Sequence, residues 1–219
     1  MQERGVVVSK KEVPSLVKDQ QLIRKRREQM VKAALGLFKE KGYHRTTTRE
    51  IATASGFSIG TLYEYIRTKE DILYLVCDSI YDTVYDKLEM VIEPQQADFQ
   101  TLKDTIISYC QIIDEIQEEI LFMYQETKSL SKEALPYVLQ KEEKILDYFK
   151  RLLIALNETE QLHIDDTSIS LLSHHIVVNC QTWAFRRWVL KRKFTLEQFS
   201  ENLANMIYGG LRHYNENRN

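Results

Sequence analysis

Three features of this 219-residue sequence predict an all-α fold. Glycine and proline are scarce, at 7 and 3 residues, so long stretches run without a helix breaker. Charged residues make up 28% of the chain and alternate with apolar ones at spacings of three and four, the helical period. No run of about eighteen apolar residues exists, so the helices belong to a packed protein and not to a membrane span. About nine helices are expected, divided between a small N-terminal three-helix domain over residues 22–68 and a larger C-terminal helical domain over residues 69–219. A flexible basic tail over residues 1–21 precedes them.

The elements follow from caps and breakers. Residues 1–21 show no periodicity, and they lack the apolar core of a signal peptide. A first helix runs from Leu22 to Lys41 with Met30, Val31, Ala34, Leu35, Leu37 and Phe38 as its apolar stripe, and Gly42 is its left-handed cap. Thr47-Thr48-Arg49-Glu50 has the form of a capping box and starts a second helix that ends before Gly56. Ser58 caps a third. Thr68-Lys69-Glu70-Asp71 starts a fourth, reaching towards Met90. Pro94 and the polar run over 95–98 mark a break. Helices are then expected over Phe99–Ile116, Gln117–Leu130 and Lys132–Leu156, the last with Val138, Glu142, Ile145, Phe149, Leu152 and Leu156 along one face. A polar loop spans Asn157–Asp166, and two helices follow at Thr167–Arg192 and Thr195–Tyr214.

Charge is unevenly distributed. The first 70 residues hold 15 Lys/Arg against 8 Asp/Glu, so a net charge of -2 conceals a basic first third and an acidic remainder. A polyanionic partner at one end of the chain fits that asymmetry. Cys77, Cys110 and Cys180 lie far apart with no CxxC, which points to a reducing cytoplasm and not to a disulfide framework. Nothing suggests an enzyme: no nucleophile elbow, phosphate-binding glycine loop or zinc motif is present. His174 and His175 diverge on a helix. His163, Asp165 and Asp166 lack a further ligand at fitting spacing, so no metal and no cofactor are expected.

The stretch "TTTREIATASGFSIGTLYEYIRTKEDIL", Thr46 to Leu73, holds two short helices joined by a glycine-containing turn, a helix-turn-helix arrangement. Ile51 and Ala52 of the first face a core, as do Leu62 and Ile66 of the second. Ile59, Gly60, Thr61, Tyr63 and Tyr65 are left facing outward. Helices this short are not stable alone and must be held by neighbours, so the outward face is free for a partner. Hydroxyls and tyrosines suit phosphates and base edges of duplex DNA, and a glycine permits close approach. Lys69 sits in the first turn of the next helix, where the dipole disfavours a cation, and a DNA phosphate would account for it.

Residues of about 22–73, from "ALGLFKEKGYHRTTTREIATASGFSIGTLYEYI" through "KEDIL", resemble the DNA-binding domain of the tetracycline-repressor-like (TetR) family. The resemblance implies that Thr61, Tyr63, Tyr65 and Lys69 contact phosphates and that Thr48, Arg49, Ile59 and Gly60 lie near base edges. Ile66 departs from the family's usual phenylalanine at a core position. The run Arg24-Lys25-Arg26-Arg27 reads as a solvated helix start or as a further DNA contact.

The resemblance also implies a homodimer on a palindromic operator, paired through C-terminal helices. Leu196, Phe199, Leu203, Ile207, Gly210 and Tyr214 recur at helical spacing in the last helix. Gly209 and Gly210 inside it cost roughly 1 kcal/mol each, which a close partner backbone would explain. The larger domain is expected to hold a small apolar effector. Its candidate walls are Tyr109, Ile113, Phe122, Tyr124, Phe149, Leu152 and Trp183, and its candidate polar contacts are His175, Asn179 and Arg186. The segments "ETKSLSKEALPYVLQKEEKILDYF" and "WAFRRWVLKRKFTLEQF" are similar to the sensing domains of TetR-type regulators of fatty-acid degradation. That likeness implies an acyl-CoA or fatty acid, with phosphate contacts drawn from Arg186, Arg187, Lys191, Arg192 and Lys193. The competing expectation is an effector-independent architectural or cell-division DNA-binding protein of the same fold.

Overall fold

A computed structural model describes residues 10–90, 98–159 and 162–216. The expected break at residues 94–97 and the first nine residues of the expected tail lie outside them. Ten α-helices occur among the described residues: α1 Gln20–Lys41, α2 Thr48–Ala54, α3 Ile59–Tyr65, α4 Lys69–Glu89, α5 Phe99–Glu115, α6 Gln117–Glu126, α7 Leu135–Glu158, α8 Asp166–Phe185, α9 Arg187–Leu190 and α10 Leu196–Glu216. The chain divides into two compact units, Met1–Asp82 with Phe122–Lys141 and Thr83–Leu121 with Glu142–Asn219, so α4, α6 and α7 each contribute to both.

In the first unit, local chemistry sets each helix end. Asp19 accepts from the N–H groups of Gln21 and Leu22, starting α1 two residues earlier than expected. Gly42 ends it at φ +83°, a value that side-chain-bearing residues rarely adopt, and its N–H donates to the Phe38 carbonyl. Thr47 and Glu50 form the expected capping box of α2, each side chain taking a backbone N–H of the other. Gly56, at φ +75°, makes the turn to α3, where the Ser58 hydroxyl accepts from the Thr61 N–H at 3.0 Å. Met30, Ala34, Phe38, Ile51, Ala52, Leu62, Ile66, Leu73 and Val76 fill the core. Phe38 stacks on Phe122 at 5.4 Å and meets Tyr43 edge-on at 5.3 Å.

Residues 10–19 differ from the flexible tail expected for them. They form an extended strap. Val13 is buried, and Leu16 donates its N–H to the Glu64 carbonyl at 2.8 Å. Lys10 pairs with Asp78 and Lys11 with Asp71, each at 2.8 Å. Asp78 also meets Lys141 at 2.7 Å, and Lys141 bonds Asp82 as well.

The second unit packs α5 against α8 and α10. One face of α5 buries Leu102, Ile106, Tyr109, Cys110 and Ile113. The expected single helix over Thr167–Arg192 is in fact two, because the backbone leaves helical geometry at Arg186 (φ -110°, ψ 19°). Of the expected effector contacts on this segment, only Trp183 falls on the buried face of α8. That face comprises Ile169, Ser173, Ile176, Val177, Cys180, Trp183 and Ala184, whereas Asn179 and Arg186 are exposed. Small residues turn inward because they let helices approach, and a pattern scored on large apolar residues misses them. No helix among the described residues is long and apolar enough to cross a membrane.

Candidate nucleic-acid interface

The helix-turn-helix presents Thr48 and Arg49 from the first turn of α2, beside Ile59, Gly60, Thr61 and Tyr63 of α3. Arg49, Ile59, Gly60 and Tyr63 are exposed, and Thr48 and Thr61 are partly so. The Thr48 and Tyr63 hydroxyls are 3.1 Å apart, and those of Ser58 and Thr61 are 3.0 Å apart, so the polar face is ordered before any partner arrives. A Cβ built on Gly60 would meet only the Ser58 hydroxyl, at 3.6 Å. Nothing among the described residues therefore requires glycine there, although it weakens a helix by roughly 1 kcal/mol relative to alanine.

One expected contact is placed differently, and a second is engaged within the protein. Tyr65 is buried at 4% exposure and does not face outward. It stands three residues after Leu62 and next to Ile66, so all three share the core side of α3. Its carbonyl accepts from Arg27 Nε at 3.1 Å and Nη2 at 3.0 Å. The same guanidinium donates to the Val13 carbonyl at 2.6 Å, which makes Arg27 an internal clamp on the strap. Within the same basic run, Arg24 faces Glu28 at 3.5 Å on the surface, and Arg26 covers the Phe57 ring at 5.1 Å. Lys69 is likewise engaged: its ammonium donates to the Tyr43 carbonyl at 3.0 Å and to the Thr46 carbonyl at 3.1 Å. A lysine that saturated was not legible from spacing, because its acceptors lie more than twenty residues upstream.

Strap and α4 add an electrostatic frame. Burial alone would raise the Asp71 carboxyl, but the Lys11 ammonium and the N–H groups of Arg67 and Thr68 outweigh it and hold the group below the usual carboxylate range. Asp78 is held low in the same way by Lys10 and Lys141 against its burial. A cleft of about 290 Å³ between the strap and α3 is lined by Pro14, Ser15, Leu16, Tyr63, Ile66 and Arg67.

The expected effector residues are dispersed. Tyr109 and Phe149 are buried and meet edge-on at 5.4 Å, and Ile113 and Leu152 are buried in the same unit. Trp183 is buried against Phe199, and its indole N–H donates to Asp114 at 2.7 Å. Lys191 donates to the same carboxylate oxygen at 2.7 Å. Phe122 belongs to the first unit, stacked on Phe38, and Tyr124 is 75% exposed. His175, Asn179 and Arg186 lie on the exposed side of α8, where the Asn179 amide donates back to the His175 carbonyl at 2.7 Å. The three polar contacts therefore do not join the buried cluster of the second unit.

A short helix pair with an ordered polar face, seated on a third helix and flanked by exposed arginine, defines a helix-turn-helix DNA-binding protein. Residues 30–74 match the family model for bacterial regulatory proteins of the tetR family. The chain is 28% identical over 207 residues to the HTH-type transcriptional regulator HbdR of Aromatoleum sp. (strain CIB), covering 88% of this chain and 83% of that one. It is 21% identical over 193 residues to the HTH-type transcriptional repressor KstR2 of Mycobacterium tuberculosis (strain ATCC 25618 / H37Rv), covering 86% and 94%. A tetR-family regulatory protein from Rhodococcus RHA1 shares the fold with a TM-score of 0.72 at 22% identity, covering 85% of this chain and 97% of that one. AibR, crystallised with isovaleryl coenzyme A and operator DNA, shares it with a TM-score of 0.66 at 16% identity, covering 84% and 98%. Residues 30–74 thus match the DNA-binding domain of the tetR family, and over most of its length the chain is similar to DNA-binding transcriptional regulators, not to enzymes.

Proposed function

We propose that the protein is a homodimeric repressor that leaves a palindromic operator when a small apolar effector, of the acyl-CoA or fatty-acid class, binds its second unit. The dimer is supported by the outer sides of α8 and α10. Leu171, Val178 and Met206 are each more than half exposed, at 56%, 53% and 68%. An apolar cleft of about 270 Å³ runs along Leu172, Met206, Ile207, Gly210, Leu211 and Tyr214. Gly209 and Gly210 have no atom of the described residues within 4 Å of a would-be Cβ beyond their own helix backbone, so nothing among those residues requires them. That pair of glycines in mid-helix is the observation that carries the dimer reading. Two-fold pairing would set two reading helices about one DNA turn apart.

An acyl-CoA is favoured because AibR, of the same fold, was solved with isovaleryl coenzyme A and operator DNA. The acyl chain would enter the cluster of Tyr109, Ile113, Phe149, Leu152 and Trp183. Arg186 is exposed and could meet phosphates, whereas Arg187 lies over the Trp188 ring at 4.5 Å and Lys191 is already paired with Asp114. A reducing cytoplasm suits the three buried free thiols. Release by an effector is a population shift: a hundredfold fall in DNA affinity needs a differential of about 2.8 kcal/mol between the two forms.

The test is a mobility-shift titration of the selected operator duplex with isovaleryl-CoA, a longer acyl-CoA and a free fatty acid, alongside the mass in solution by light scattering. A dimer released by one of these ligands supports the proposal. A dimer whose DNA affinity is flat to all of them favours the effector-independent architectural reading.

A further inference from the structure

Lys69 is the first residue of α4, at the positive end of the helix dipole, where a cation is disfavoured. Its ammonium lies against the carbonyl oxygens of Tyr43, Thr46 and His44, at 3.0, 3.1 and 3.4 Å. A lysine ammonium has three N–H donors, so these carbonyls occupy the full set. The nitrogen also stands 4.2 Å from the centroid of the Tyr43 ring, within cation–π range. The next residue joins in: the Tyr43 hydroxyl donates to Glu70 at 3.3 Å. Burial, and then the Glu70 charge, push the phenol well above its ordinary pKa, so it stays a donor.

These carbonyls belong to the turn between α1 and α2, which runs straight into the α2 cap. Thr46 is buried in it, with its hydroxyl donating to the Gly42 carbonyl at 2.9 Å and its N–H to the Tyr43 carbonyl at 3.2 Å. Two residues further on stands Thr48, whose hydroxyl meets Tyr63 of the reading face. Any shift of the turn therefore moves the first turn of α2.

We infer that Lys69 is a positioning residue and not a phosphate ligand: it ties the start of α4 to the 43–46 turn and so sets where Thr48 and Arg49 stand on the DNA-reading face. The inference rests on that face being the DNA-reading one. It also accounts for a lysine at a helix position where the dipole opposes it, without any DNA present.

The experiment compares full-length wild type, Lys69→Met and Lys69→Arg on a duplex that the wild type enriches from a random-sequence library. Affinity is read as a function of salt, together with amide exchange over residues 44–50 and the unfolding temperature. Lys69→Met should lose about tenfold in affinity, as expected for a charge-assisted anchor. The slope of log affinity against log salt should not change, and the 44–50 amides should exchange faster. Lys69→Arg should fail to rescue, because a planar guanidinium cannot serve three carbonyls gathered around one nitrogen. A slope shallower by about one, with affinity restored by arginine, would identify a phosphate contact and overturn the inference. So would an unchanged affinity with only a lower unfolding temperature. Should the wild type enrich no duplex, the DNA reading itself fails; the exchange rates still decide the anchor, and unchanged protection in Lys69→Met rejects it.

Discussion

The hydroxyls of Thr48 and Tyr63, fifteen residues apart in sequence, lie 3.1 Å from each other and join the first turn of α2 to the exposed side of α3. A hydrogen bond between partly solvated hydroxyls contributes only about 0.5–1.5 kcal/mol to stability. Its consequence lies in orientation, because it ties the Tyr63 side chain to the start of α2.

Tyr63→Phe and Thr48→Ala should each lower DNA affinity about fivefold to tenfold while barely changing the unfolding temperature. Combined, they should cost little more than either alone, since each removes the same bond. Fluorescence anisotropy on the enriched duplex gives the cycle. Fully additive losses would show that the two hydroxyls act separately.

Gly60 gives a prediction in which stability and binding move in opposite directions. Alanine should stabilise the free protein by up to about 1 kcal/mol, because the added carbon would meet only one hydroxyl at ordinary contact distance. The same methyl group would stand between α3 and the DNA, so affinity should fall. A higher unfolding temperature with undiminished binding would remove the close-approach explanation of this glycine.

Gly210→Leu should affect assembly. The side chain has open space within its own subunit, so helicity should be retained or improved. A partner helix packed against that site would be displaced, and sedimentation should shift from dimer towards monomer, with weaker DNA binding as a consequence. An unchanged dimer would move the interface away from this part of α10.

What could be read from sequence was local. The α2 capping box and the Ser58 cap need only residues three apart, and both stand where the spacing put them. The match of residues 30–74 to one family covers the same stretch. The errors came where distance or helix length hid the answer. A helix of seven residues does not distinguish i+3 from i+4 spacing, so the sequence pattern puts Tyr65 outside although it shares the core side with Leu62 and Ile66. In α8 the inward residues include Ser173, Cys180 and Ala184, which no search for large apolar side chains would select. The strap has no periodicity at all. Its anchors, Lys11 on Asp71 and Lys10 on Asp78, span about sixty residues or more, and only the folded chain brings them together.

Those anchors make the first unit acid-sensitive. Asp71 and Asp78 are buried, at 4% and 5% exposure, and both carboxyls are held below their unfolded values by the ammonium groups beside them. The folded state therefore binds protons less readily than the unfolded state. The stabilisation is fully present above the unfolded carboxylate pKa and drains away as pH falls, beginning near about pH 5 and ending below the depressed folded values. Stability from these groups should be flat above about pH 6. Lys11→Met should cost about 1.5–3 kcal/mol at neutral pH and move the acid limb to higher pH, since Asp71 would keep its burial but lose its charged partner. Lys10→Met should do less, because the Lys10 side chain is 60% exposed against 15% for Lys11, and Lys141 still holds Asp78. Urea unfolding followed by circular dichroism between about pH 3 and about pH 8 measures both. Acid limbs that coincide for the wild type and both variants would mean that the strap does not stabilise this unit.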